Sequence, residues 1–298
     1  MSLTLPAAAE SVRCTVFAAE NRIDPGGTGL APDVIVLVEV AEPWPKPAGK
    51  HPDLVDFVSA AALNPAQIRL LAAEPHDPTA RRILTFRPAD GGMLRTELPL
   101  GDDAVSTLQA ALDAEPTLVL SGPGAPRSLL VCTQGSHDIC CGDQGVEFAD
   151  AAEASRPDVE LFRVSHTGGH RFAPTAMTLP DGRMWAWLNP ASLDGLLDRT
   201  MTPAEAAASC RGWWGTPTGP RQVAERAVFA ERGFELDDVG RTVETEEIDG
   251  GHMVTVTVSG ETPQRFLVRP GREVVTIACD APGGQPTKPG REWTVESA

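Results

Sequence analysis

The sequence predicts an α/β protein built from two units of the same element order, with a small α+β appendix at its C-terminal end. Two observations carry that reading. The pattern strand, helix, strand, hairpin, helix runs once through residues 34–112 and again through residues 128–197, and each hairpin turns on an Asp-Gly pair that supplies positive φ. Hydrophobic residues make up 42% of a 298-residue chain, which is core material for two or three domains rather than one.

Residues 1–32 are rich in Gly, Pro and Ala around a short V-R-C-T-V-F and read as an extended lead-in. Val34-Ile-Val-Leu-Val-Glu-Val40 is apolar and β-branched, as a strand covered on both faces must be. E-P-W-P-K-P ends it, because successive prolines deny ladder hydrogen bonds. Apolar residues between Leu54 and Ala62 recur at helical spacing behind Pro52, which predicts one amphipathic helix over 53–63. Strands follow at 67–73, 82–87 and 93–98, the last two joined by P-A-D-G-G. A helix over 102–112 opens on acidic residues that suit its dipole.

The second half repeats this. A strand at 128–133, a helix at 146–154 and a strand at 159–164 precede a hairpin, 175–179 and 183–188 around P-D-G, and a helix from Leu193. One parallel crossover and one hairpin per half is the order of a thioredoxin-like unit. The predicted fold class is therefore α/β, with tandem thioredoxin-like units, the N-terminal one degenerate, and the appendix. The expected boundaries are 1–120 (no ligands), 121–215 (metal site) and 216–298. T-P-A-E at Thr202 opens a capped helix that R-G-W-W-G breaks. A helix over 222–231 and alternating strands at 253–258, 266–269 and 274–278 form the appendix, and the Pro/Gly-rich A-P-G-G-Q-P-T-K-P-G is expected to be a flexible tail.

A formal charge of −16 repels nucleic acid and anionic membranes and suits a basic protein partner. No stretch approaches the ~20 apolar residues of a membrane-spanning helix. The first residues lack the basic start and long apolar core of a secretory signal, so the expected location is the cytoplasm. Six Cys in such a chain point toward metal or redox chemistry rather than a disulfide framework. Cys14, Cys210 and Cys279 read as small buried apolar side chains.

The chemistry concentrates between residues 129 and 170. Cys132 and Cys141 form a C-x8-C pair, His166 and His170 an H-x3-H pair. Two thiolates and two imidazoles are a ligand set for zinc or for an iron–sulfur cluster. H-x3-H suits structural zinc, but C-x8-C lacks the knuckle of about two to four residues that brings zinc-finger thiolates together. A binuclear iron cluster is wider than one ion and takes longer loops. Both pairs follow neighbouring predicted strands, at the edge where α/β folds place their sites. Gly168 and Gly169 would let the backbone approach a sulfide closely.

Four blocks extend this pattern: V-L-V-E-V-A-E-P-W, V-C-T-Q-G-S-H-D-I-C-C-G, V-S-H-T-G-G-H-R-F-A-P and R-G-W-W-G. On them, and over nearly its whole length, the chain resembles the sucrase/ferredoxin-like family, a branch of the thioredoxin-like ferredoxins. The resemblance implies a [2Fe–2S] cluster held by Cys132, Cys141, His166 and His170, with zinc as the alternative metal. It implies an electron carrier served by a separate reductase and acceptor more than a self-contained enzyme. Cys141, not the adjacent Cys140, matches the family's C-G pattern through Gly142. Neutral imidazoles in place of two thiolates are expected to raise the potential above that of an all-cysteine ferredoxin, as in Rieske centres, and to couple electron to proton uptake.

His137 reads as a partly exposed loop residue, its other reading being a neighbour of the cluster, and Asp138 as a residue that turns the loop. Trp185 and Trp187 read as core, one of Trp213 and Trp214 as an interface anchor, and His51, His76 and His252 as surface residues. No G-x-S-x-G, H-E-x-x-H, P-loop, dinucleotide fingerprint or C-x-x-C is present, which leaves hydrolase and thioredoxin chemistry without support.

Overall fold

The computed structural model describes residues 3–89, 92–116, 118–120 and 125–298. In chain order they form α1 (Cys14–Glu20), β1 (Val34–Glu39), α2 (Val55–Ala62), β2 (Ile68–Ala73), β3 (Arg82–Ala89), β4 (Gly92–Pro99), α3 (Ala104–Asp113) and β5 (Leu118–Leu120). Then come β6 (Ser128–Cys132), α4 (Val146–Ser155), β7 (Glu160–Val164), β8 (Ala176–Leu179), β9 (Arg183–Trp185), α5 (Leu193–Leu197), α6 (Pro203–Ser209), β10 (Cys210–Trp213) and α7 (Pro220–Arg232). The chain ends on β11 (Arg241–Ile248), β12 (Gly251–Val258), β13 (Gln264–Thr276) and β14 (Lys288–Ser297). The fold is mixed α/β, with a large mixed sheet and a separate four-stranded sheet. No helix among the described residues is long and apolar enough to cross a membrane.

The chain divides into two compact units. One comprises residues 32–167 and 177–182, the other residues 1–31, 168–176 and 183–298.

Within the first of these the strands lie in the order β8-β6-β7-β2-β1-β3-β4-β5. β1 is parallel to β2 and β6 to β7, while β2 meets β7 antiparallel through Ala73 and Val164. The order β2-β1-β3 is thus matched by β7-β6-β8, element for element. Every residue of β1 and β6 is buried, the signature of strands covered on both faces. The β3–β4 hairpin runs in register from Arg82↔Pro99 to Ala89↔Gly92, and its Asp90 and Gly91 lie outside the described residues. Asp103 caps α3 by accepting a 2.8 Å hydrogen bond from the Ser106 N–H. α2 departs from the expected amphipathic pattern: Leu54 and Phe57 are buried, but Val55 and Val58 face solvent.

In the other unit, β11-β12-β13-β14 make an antiparallel sheet and β10 pairs antiparallel with β9. α6 carries the predicted capping box, Thr202 and Glu205, with Pro203 in its first turn. Three expectations are corrected here. The lead-in contains a helix, α1, because Cys14, Phe17 and Ala18 share one face and bury it. R-G-W-W-G does more than end α6, since its first residues are strand β10. The Pro/Gly-rich tail is ordered from Lys288 onward: β14 pairs with β13 from Thr276↔Lys288 to Phe266↔Ser297 across a bulge.

This unit's core holds a fully buried ionic cluster. Arg183 on β9 meets Glu225 on α7 at 2.9 Å and Asp237 at 2.7 Å, and Arg241 on β11 meets the same carboxylates at 2.9 and 3.0 Å. The Arg183 guanidinium also lies 3.5 Å from the Phe229 ring centre, and that of Arg241 3.7 Å from the Trp213 ring. Trp185 packs against Phe229 and Phe234, as a core residue should. Trp187, by contrast, leaves the strand with φ of 50° and is only half-buried. Trp214 is buried, and Trp213 covers Arg241.

Candidate metal centre

Cys132 is the last residue of β6, directly opposite Val164 of the parallel neighbour β7, and His166 follows Val164 by two residues. Both side chains therefore leave the same carboxyl edge of the sheet. The chain returns from Cys132 through a loop whose Asp138 accepts a hydrogen bond from the Cys140 N–H at 2.9 Å, the turn expected of an Asx residue. Cys141 begins one wide helical turn, residues 141–145, that runs into α4. Gly142 is required there: a β-carbon on it would come within 2.5 Å of the Gly135 Cα.

These elements bring Cys132, Cys141 and His166 together, with their ligand atoms all within 4.8 Å of one another. The Cys132 sulfur lies 3.9 Å from His166 Nδ1. The Cys141 thiol donates to the Cys132 sulfur, and with His166 and the Thr167 N–H it holds the Cys132 thiol well below its ordinary range against burial. Cys141, buried beside that thiolate, is pushed well above. A metal that binds thiolates would take the place of the proton that the two sulfurs share.

Other side chains hold the two loops in place. Gln134 accepts from the His166 backbone N–H at 3.0 Å and donates to the Pro45 carbonyl at 2.6 Å. Arg69 donates to the His166 carbonyl and interacts electrostatically with Cys132. The His137 ring stacks on that of His166, with centres 3.6 Å apart and planes at 11°, while its carbonyl accepts from Lys46. Sequence reasoning passed over Gln134 and Arg69; the sole signal was the place of Gln134 two residues after a candidate ligand. His76, exposed as expected, stacks on Phe162.

His170 belongs to the other compact unit. It opens a short turn, His170–Phe172, preceded by Gly169 with φ of 71°. A β-carbon at Gly169 would strike the Arg211 guanidinium at 2.6 Å, and Arg211 in turn donates to the Gly168 and Thr28 carbonyls at 3.1 and 2.7 Å. The glycines of H-T-G-G-H and the arginine of R-G-W-W-G thus depend on each other. His170 Nδ1 sits 3.3 Å from the Cys14 sulfur.

The donor set fits a soft or borderline metal. Two buried thiols and an imidazole suit zinc or iron–sulfur ligation, and no hard oxygen donor stands among the three. Two buried hydroxyls beside them, Thr133 Oγ1 and Thr167 Oγ1, have no hydrogen-bond partner, a state they share with Thr85 and Thr96.

The fold and site define a mixed α/β protein with a thiol–imidazole centre at the carboxyl edge of parallel strands. The profile of the sucrase/ferredoxin-like family matches residues 27–212, and the chain belongs to that family. No curated protein and no solved structure matches it.

Proposed function

We propose that the protein is an electron carrier whose [2Fe–2S] cluster is held by Cys132, Cys141, His166 and His170. The observation that carries this reading is the grouping of the buried Cys132 and Cys141 with the half-buried His166 at the end of β6 and β7. His170 joins the set through the H-x3-H motif of the family. A bound cluster would supply a one-electron couple, and the chain's own residues would tune it: Arg69 by its charge, His137 by stacking and Gln134 by fixing the His166 loop. The repeated order β2-β1-β3 and β7-β6-β8 supports tandem thioredoxin-like units, the first without ligands. The acidic chain would work in the cytoplasm with a separate reductase and acceptor, without nucleic acid or membrane.

The same donors suit zinc, the second reading, and one experiment separates the two. Protein purified without oxygen is expected to absorb in the visible and, once reduced, to give a paramagnetic signal; stoichiometric zinc with neither signal would leave the iron reading without support. For a cluster with histidine ligands the midpoint potential should fall as pH rises between about 6 and 10.

A further inference from the structure

Cys14 and Cys279 are 265 residues apart in the chain, yet the structure places them as a pair. Residues 10–12 lie alongside residues 280–283, antiparallel at one bridge. Ser11 bridges Pro282, the Gly283 N–H donates to the Glu10 carbonyl at 2.8 Å, and the Asp280 N–H donates to the Val12 carbonyl at 3.3 Å. The next residue, Arg13, forms an ion pair with Asp280 at 3.1 Å. Cys14 itself opens α1, and the opposing chain, turning through Asp280 with φ of 52°, brings Cys279 beside it. The sulfurs lie within 4.8 Å of each other, and the Cys14 N–H already donates to the Cys279 sulfur at 3.1 Å.

We propose that Cys14 and Cys279 are a redox-active dithiol that closes to a disulfide under peroxide. Cys279 is the accessible member, being half-buried where Cys14 is 1% exposed. The Cys279 thiolate attacks one peroxide oxygen, the O–O bond breaks, and hydroxide leaves with a sulfenic acid formed on Cys279. The Cys14 sulfur then attacks the Cys279 sulfur, the S–O bond breaks, and the S–S bond forms. Two thiols and one hydrogen peroxide become one disulfide and two waters, the thiol protons ending on the oxygens. Reversible pairs of this kind are the form that disulfides take in reducing compartments.

Closure also changes what His170 touches, because a disulfide sulfur neither donates a hydrogen bond nor carries charge. Any effect on a cluster rests on the function proposed above; the pair itself does not.

The test treats reduced full-length protein, both metal-free and metal-loaded, with one equivalent of hydrogen peroxide and maps its peptides by mass spectrometry without reductant. The expected result is a Cys14–Cys279 cross-linked peptide, loss of those two thiols to alkylation, and their recovery with a dithiol reductant. Cys279→Ser should remove the cross-link while keeping the wild-type thermal transition; the mapping of the wild-type chain decides the matter even if that variant folds poorly. Cys14 and Cys279 remaining thiols, stopping at sulfenic acid, or cross-linking mainly to other cysteines would overturn the proposal. So would a metal ion that co-purifies on the pair and prevents closure until it is chelated. A cross-link formed in protein that shows no iron cluster upholds the pair and counts against the electron-carrier reading alone.

Discussion

Arg183, Glu225, Asp237 and Arg241 set two guanidinium groups against two carboxylates in full burial, and each charge finds its opposite within 3.0 Å. Cys132, Cys141 and His166 are gathered more loosely, within 4.8 Å of one another, and the hydrogen bond between the two thiols pushes Cys132 down and Cys141 up. Burial alone would lower the Arg183 pKa; Asp237 and Glu225 reverse that and raise it well above its usual value. The thiol cluster holds no such set of opposite charges: its sulfurs meet through a shared hydrogen bond, and the imidazole stands 3.9 Å from Cys132. Opposite charges paired at contact distance serve the fold, whereas thiols and an imidazole set farther apart have room for an ion between them.

The largest effect should come from breaking the satisfied cluster. Glu225→Gln leaves Arg183 and Arg241 short of one buried anion and is expected to cost about 3–5 kcal/mol in chemical denaturation. Should the loss stay below about 1 kcal/mol, the two clusters would not differ in the way argued. Next comes the support of the thiol centre. Gln134→Ala frees the His166 loop from the Pro45 segment and is expected to weaken metal binding about tenfold in chelator competition, while barely moving the unfolding midpoint of the metal-free protein. The smallest effect belongs to a partly exposed pair, Asp24 and Arg226. Burial pushes the Asp24 carboxyl up, but the hydrogen bonds and charge of Arg226 outweigh it and hold the group below its ordinary 3.8. A carboxyl depressed by folding stabilises above that unfolded value and stops doing so as pH falls through its folded pKa. Stability should therefore drop below about pH 4, and Asp24→Asn should remove less than about 1 kcal/mol of that acid dependence, as urea midpoints across the range would show.

The sequence was most legible where local pattern and final environment agree. β1 and β6 announce their double burial by unbroken apolar runs, and Thr202 with Glu205 marks the start of α6 in the residues that cap it. Cys132, Cys141 and His166 were visible because thiols and imidazoles at the ends of predicted strands have few other uses. The elements that were missed owe their structure to distant partners. β10 exists because β9 pairs with it, and β14 overrides its Pro and Gly content by lying along β13. The supports of the centre were hidden for the same reason: Gln134 and Arg69 acquire a role only once β2, β6 and β7 stand side by side.

The contact of residues 10–14 with residues 279–283 also bears on how the protein is made. During synthesis, residues 32–167 emerge as one continuous stretch and can begin to fold before the C-terminal third exists. α1 cannot, because Ala173 and Cys279, which bond its first turn, are translated 158 and 265 residues after their partners. The N-terminal arm, whose Phe17 and Ile23 are buried in the finished molecule, therefore stays incomplete until late in translation.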